Sequence, residues 1–216
     1  RGALPIQPGQ KVAYIGGFAA TPRYQGGGSS HVNPYRVDSA LHAAAARGRT
    51  VNYVEGFPAD RDQREEAEFL KAVEAAERAD VAVIFAGLPD SFESEGYDRK
   101  HMRLPDSQNN LIARVAAVQK NTVVMLHTGS PVECPWADEV NAVLCMYLGG
   151  EGVGTSADAL LYGDAEPSGR LPETWPLRLE DTPCYLDFPG DGHTAEYREG
   201  GYGGYRWYDA RRMAVG

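Results

Sequence analysis

Val81–Ala86 reads VAVIFA, an apolar run with no polar interruption. A strand with one wet face alternates apolar and polar residues. A strand apolar at every position has both faces covered, usually by the helices of a parallel sheet. The neighbouring segments agree. Upstream, Gln63–Ala79 has a helical period and places Phe69, Leu70, Val73 and Ala76 on one face. Downstream, Asn109–Val118 reads as a second helix, and Thr122–Leu126 (TVVML) as another buried strand.

The alternation continues outward in both directions. Lys11–Gly16 (KVAYIG) is a strand closed by a glycine turn, and Tyr35–Arg47 is an Ala-rich helix stopped by Gly48. Thr50–Val54 and Ala142–Met146 are further strands, and Gly150–Tyr162 opens on glycines and continues as a helix. Strands alternating with helices predict βαβ units. The expected fold class is α/β, a mostly parallel sheet flanked by helices on both faces, because right-handed crossovers distribute them so. Residues 1–162 form this expected sandwich core. Residues 163–216, rich in Gly, Pro and Tyr, are expected to be an extended C-terminal arm of the same domain.

Composition excludes several classes. The chain has 216 residues, 43% hydrophobic and 24% charged, which suits one globular domain rather than disorder. A formal net charge of -9 without a basic cluster repels phosphate backbones, so no nucleic-acid partner is expected. No apolar run approaches the ~20 residues of a membrane span, so no membrane partner is expected either. The chain begins at Arg1 rather than Met, so a missing leader says nothing. Cys134, Cys145 and Cys184 are odd in number and lack a CxxC pair. Reduced, mostly buried thiols are expected, favouring a reducing, cytoplasmic compartment.

Ligands of open α/β sheets bind beyond the carboxyl ends of the strands. Four segments emerge there: Arg23–His31, Gly87–Leu104, His127–Trp136 and Tyr147–Thr155. The second is the richest, with Asp90, Glu93, Glu95 and Asp98 followed by Arg99 and Lys100. Crowded carboxylates raise the pKa of the least solvated one, which is how a carboxylic acid stays protonated to act as a general acid. A solvated acidic turn is the plainer reading of the charge alone. Phe92 and Tyr97, interleaved with these acids, favour a sugar-binding surface.

Other chemistries have less support. No GxSxG elbow is present, and the adjacency of Ser29, Ser30 and His31 is not a triad. Gly149–Gly154 (GGEGVG) does not match GxGxxG and follows a late strand. Close helix–strand packing is its expected use, though a helix N-terminus there could hold an anion. His31, His42, His101, His127 and His193 show no ligand spacing, so no metal and no cofactor is expected. His127, at a strand end, is read as structural. Trp136, Trp175 and Trp207 are read as packing residues.

These segments together resemble the α/β sandwich domain of glycoside hydrolase family 3, the β-glucosidase family. The resemblance rests on RYQGGGSSHVNP (23–34), ADVAVIFAGLPDSFESEGYDRKHMRLP (79–105), NTVVMLHTGSPVECPW (121–136), GGEG (149–152), DAEPSGRLPETWP (164–176) and YREGGYGGYRWY (197–208). It covers nearly the whole chain, and EGYDR and PSGRLPET are its most specific strings.

The resemblance implies a retaining hydrolase of terminal β-glycosidic bonds with two carboxyl groups. The acid/base would come from the acidic loop. Glu95, directly before Gly-Tyr-Asp-Arg, takes that role, with Glu93 as its rival. Asp98 and Arg99 would brace the loop as an ion pair. Gln25, Ser29 and Ser30 would help wall the aglycone side, although some plant members carry an aromatic ring about where Ser29 stands. The expected partners are a β-glycoside or oligosaccharide substrate and an N-terminal (β/α)8 barrel in a longer parent. In the family that barrel supplies the nucleophilic aspartate, so this chain by itself is expected to be inactive. A non-catalytic carbohydrate-binding module is the alternative. A phosphorylase or transglycosidase would use the same acid with another acceptor.

Overall fold

The strand read first, β3 (Val81–Gly87), is buried at every position and lies parallel between β1 (Val12–Ile15) and β4 (Thr122–His127). In this computed structural model, which describes residues 2–216, β2 (Val51–Val54) and β5 (Ala142–Cys145) complete a parallel sheet in the order β2-β1-β3-β4-β5. The three inner strands are dry on both faces, and the two edge strands are partly open. The continuous apolar run of β3 is thus the signature of a strand covered on both sides.

Four helices cover the sheet: α1 (Ala40–Ala46), α2 (Glu66–Arg78), α3 (Asp106–Val118) and α4 (Val153–Tyr162). α1 packs with α4 and α2 with α3; right-handed crossovers put α1 on one face and α2 and α3 on the other, and α4, which follows the last strand, joins α1. β4 and β5 are joined without a helix. Trp136 fills that connection, 2% exposed, with its indole N–H on Asn109 Oδ1 at 2.9 Å.

The structure corrects several boundaries. α1 begins at Ala40 rather than Tyr35, because the Ser39 hydroxyl caps it by accepting from His42 N at 3.1 Å. α3 begins at Asp106 rather than Asn109. Asp62 accepts from the N–H groups of Asp106 and Ser107, both at 3.0 Å, and so completes the first turn from another loop. Burial pushes the Asp62 pKa up, but these bonds and the Ser107 hydroxyl outweigh it, and the net shift is downward. On α2, Phe69, Val73 and Ala76 are buried but Leu70 is 57% exposed. It lies one 100° step round the helix from Phe69, beyond the edge of the apolar face. The three cysteines are reduced but half-buried rather than buried. Cys145, for one, ends an edge strand.

The glycine in the first turn of α4 also acts differently from the expectation. A Cβ on Gly154 would overlap the backbone of Ser39, so the close packing is against the start of α1, not a strand. The helix N-terminus holds an anion supplied by the chain itself. Asp38 accepts from Gly154 N at 2.8 Å, from Thr155 N at 3.0 Å and from the Thr155 hydroxyl.

Contacts group the chain into two units. One comprises everything to Arg99, Leu104–Ser130 and Pro135–Pro167, and contains the sheet. The other comprises Lys100–Arg103, Pro131–Cys134 and Ser168–Gly216. The second is not wholly extended, since its Gly-rich stretch leads into α5 (Tyr205–Arg211). Within it Trp207 donates to Asp181 O at 3.0 Å and Gly216 N to Trp175 O at 2.8 Å.

Replacing the Asp38 carboxylate tests the cap on α4. Asp38→Ala should lower the unfolding free energy by about 2 kcal/mol in urea titrations, and Asp38→Asn by less. An unchanged midpoint for Asp38→Ala would show that the cap contributes nothing.

Candidate active site

In the order β2-β1-β3-β4-β5 the chain winds outward in opposite directions from β1 and β3. The crossovers therefore leave on opposite faces and open a crevice beyond the carboxyl ends of these two strands. The loops after β1 and β3 meet there. A cavity of about 230 Å3 lies between them, walled by Phe18, Arg23, Tyr24, Gln25, Leu88 and Asp90, among others.

Arg23 is only 7% exposed. A buried guanidinium must find partners for its N–H groups, and the loop after β3 provides acceptors for its two terminal nitrogens. Arg23 donates to Leu88 O at 3.1 Å, to Glu93 O at 2.7 Å and to Glu93 Oε2 at 2.5 Å. Its Nε lies 3.3 Å from Asp90 Oδ1. The Glu93 carboxylate also accepts from Gly129 N at 2.8 Å and from the Ser130 hydroxyl, both in the loop after β4. Ser130 Oγ in turn accepts from Arg99 Nη1 at 2.8 Å. Three loops are thereby joined through one ion pair, and Arg99 is tied into it by way of Ser130.

Glu95, two residues on, stands differently. It is exposed, and its carboxylate accepts from the backbone N–H of Ser29. Gly28 makes that approach possible. It has φ +81, and a Cβ there would overlap the Glu95 side chain. The Ser29 hydroxyl and N–H hold the Glu95 pKa below the ordinary carboxylate range. Glu95 is exposed and so is not the least solvated acid of the loop, and its shift is downward. Two of the neighbouring acids, Asp90 and Glu93, face Arg23, while hydrogen bonds from Ser29 stabilise the ionised form of Glu95.

The other candidates are placed as follows. Gln25 turns onto its own loop, its Oε1 accepting from Val32 N at 3.0 Å and its Nε2 donating to Tyr24 Oη at 3.0 Å. Ser30 Oγ donates to Gly27 O at 3.2 Å. Phe92 is half-buried, and its N–H donates to Pro89 O at 2.8 Å in the turn. Tyr97 is exposed, with its hydroxyl on Asp90 O. The fold thus brings Ser29 to Glu95 and Arg23 to Glu93. Arg23, Gly129 and Ser130 lie in loops legible as strand ends, but nothing in the sequence assigns them to Glu93, since Arg23 and Glu93 are 70 residues apart.

His127 lies at the carboxyl end of β4 and is 2% exposed. Its ring stacks on Phe18 at 5.9 Å and 6° and lies 6.3 Å from the Phe85 ring. Among the described residues neither ring nitrogen makes a hydrogen bond of normal geometry. Burial pushes its pKa down to about 4, and a backbone group of Arg23 opposes this only in part. It is a neutral packing group.

The glycosyl hydrolase family 3 C-terminal domain model matches residues 1–205. The chain is 48% identical over 211 residues to the thermostable beta-glucosidase B of Acetivibrio thermocellus, covering 96% of this chain and 28% of that protein. It is 41% identical over 214 residues to an exo-alpha-(1->6)-L-arabinopyranosidase of Bifidobacterium longum, covering 99% of this chain and 28% of that one. The crystal structure of a GH3 beta-glucosidase from Bifidobacterium adolescentis superposes with a TM-score of 0.93 at 41% identity, over 99% of this chain and 32% of that one. The chain thus spans less than a third of the length of each of these three proteins.

The neutral His127 predicts acid sensitivity. With a folded pKa of about 4 and an unfolded value of about 6.5, its contribution is complete above ~6.5 and lost as pH falls toward 4. The loss is on the order of 3 kcal/mol. Urea midpoints measured from pH 7 to 4 should fall less steeply in His127→Phe. An identical slope would show that His127 is not the group responsible.

Proposed function

Because the chain belongs to glycoside hydrolase family 3, as its C-terminal α/β domain, we propose that it carries the acid/base of a retaining β-glucosidase-type enzyme and that Glu95 is that group. The observation that carries this reading is the contrast within the EGYDR loop. The Glu93 carboxylate is engaged by Arg23, Gly129 and Ser130, whereas Glu95 stands exposed with Ser29 as its hydrogen-bond donor. A general acid must reach the leaving oxygen, and a carboxylate already engaged on three sides cannot do so without breaking its own brace.

The substrate is a β-glycoside or oligosaccharide. The nucleophilic carboxylate lies on a (β/α)8 barrel of the parent protein. In the first step Glu95 gives its proton to the glycosidic oxygen as the C1–O bond breaks and the nucleophile bonds to C1. In the second step Glu95 removes a proton from water, whose oxygen bonds to C1 and releases the nucleophile. The Ser29 bonds favour the ionised form, which is the form needed as base. The protonated form needed in the first step is favoured when sugar and barrel exclude water and set a second carboxylate nearby. Gln25, Ser29, Ser30, Phe92 and Tyr97 border the leaving-group side. The chain alone has one of the two carboxyl groups that retaining chemistry holds about 5–5.5 Å apart, so it has no turnover by itself.

In the full-length parent, Glu95→Gln should reduce hydrolysis of alkyl glycosides about 10²–10⁴-fold and that of nitrophenyl glycosides far less. Azide should restore turnover of Glu95→Ala, with a glycosyl azide of retained configuration as product. If Glu93→Ala is rescued and Glu95→Ala is not, the assignment fails.

A further inference from the structure

We infer that Glu93 and Arg23 are positioning residues for the acid/base, acting through Glu95, and that Ser130 extends their hold to the far end of the loop. The inference rests on the Glu95 assignment above.

The contacts run in register. Arg23 holds both the carboxylate and the carbonyl of Glu93. A Cβ on Gly27 would overlap Ser94, and one on Gly28 would overlap Glu95. Ser29 N–H donates to Glu95. Residues 93, 94 and 95 are thus laid, one after another, along the loop from Arg23 to Ser29. The acid-bearing segment is fastened at Glu93 and seated at Glu95 by the same stretch of chain.

A second fastening lies on the opposite side. Ser130 Oγ donates to Glu93 and accepts from Arg99, so the start, middle and end of the loop from Leu88 to Arg99 are each tied to a strand end. Arg23 and Glu93 are largely removed from water, with side chains 6% and 16% exposed. Burying an ion pair gains little stability compared with an apolar pair, but it fixes direction, because each N–H must point at one acceptor. Glu95 has no comparable constraint of its own. Its place relative to a leaving oxygen is inherited from Glu93, two residues away, and from Ser29.

Such a role has a kinetic signature distinct from that of the acid itself. A misplaced Glu95 still fills its site, so transfer of the proton is impaired while no space opens for an external nucleophile. In the full-length parent, Glu93→Gln and Arg23→Lys should each reduce kcat on alkyl glycosides about 10–100-fold. Nitrophenyl glycosides, which need little protonation, should lose less than about 3-fold, and KM should change little. Azide should restore neither variant. Ser130→Ala, which removes no charge, should show the same split more weakly and keeps the test open if the charged variants do not fold. Equal losses on both substrate types, or unaltered rates in folded Ser130→Ala and Glu93→Gln, would overturn the inference and leave the brace purely structural. Azide rescue of Glu93→Ala without rescue of Glu95→Ala would instead overturn the Glu95 assignment, so the two failures are distinguishable.

Discussion

Arg23 is a charge taken almost out of water at the one place where the sheet changes winding direction. Its removal from solvent is tolerable only if its N–H groups are met, and each acceptor that meets them comes from the loop after β3. That requirement fixes the loop. Glu93 must face Arg23, the N–H of Gly129 and the Ser130 hydroxyl then have an anion to point at, and Arg99 closes on Ser130. The crevice is therefore shaped by electrostatic necessity, with the dry strands β1 and β3 as its floor. Apolar burial specifies the sheet, and one buried ion pair specifies what stands above it.

The sheet was legible because its strands obey a local rule. β3 and β4 are apolar throughout, and a run of that kind has few other uses in a chain of this length. Helix boundaries were less legible for a nonlocal reason. α3 and α4 begin where they do because Asp62 and Asp38, far along the chain, supply their caps. A local pattern sees only Pro105, or Gly150–Gly152, and places the start too late or too early. α5 escaped because its approach, Gly200–Gly204, is the composition of a loop. Leu70 was misplaced by one helical step, since hydrophobicity alone does not mark the edge of a buried face.

The candidate site divides along the same line. The position of the acidic loop beyond β3, and the presence of carboxylates in it, follow from sequence. The difference between Glu93 and Glu95 does not, because it depends on Arg23, Ser29, Gly129 and Ser130, which approach from two other loops. Charge density was also a poor guide to pKa. Crowding acts on the least solvated acid, whereas the exposed Glu95 is held ionised by hydrogen bonds from Ser29. His127, by contrast, sits at a strand end like a site residue but is packed between aromatic rings as an uncharged spacer.

The caps on α3 and α4 carry a consequence for how the domain comes apart. Asp38 reaches α4 across 116 residues of sequence, and Asp62 reaches α3 across 44. Neither helix can keep its first turn satisfied unless a distant part of the chain is already in place. Fraying at either N-terminus is therefore not a private event of that helix, because it releases a carboxylate of a distant loop, and at α4 that carboxylate, Asp38, is buried. Opening of α4 at this end of the sheet is thereby coupled to opening of the segment before α1, and hydrogen exchange should show the two protected together. The same long-range closures raise the contact order, so the domain assembles slowly for its size and holds together once assembled.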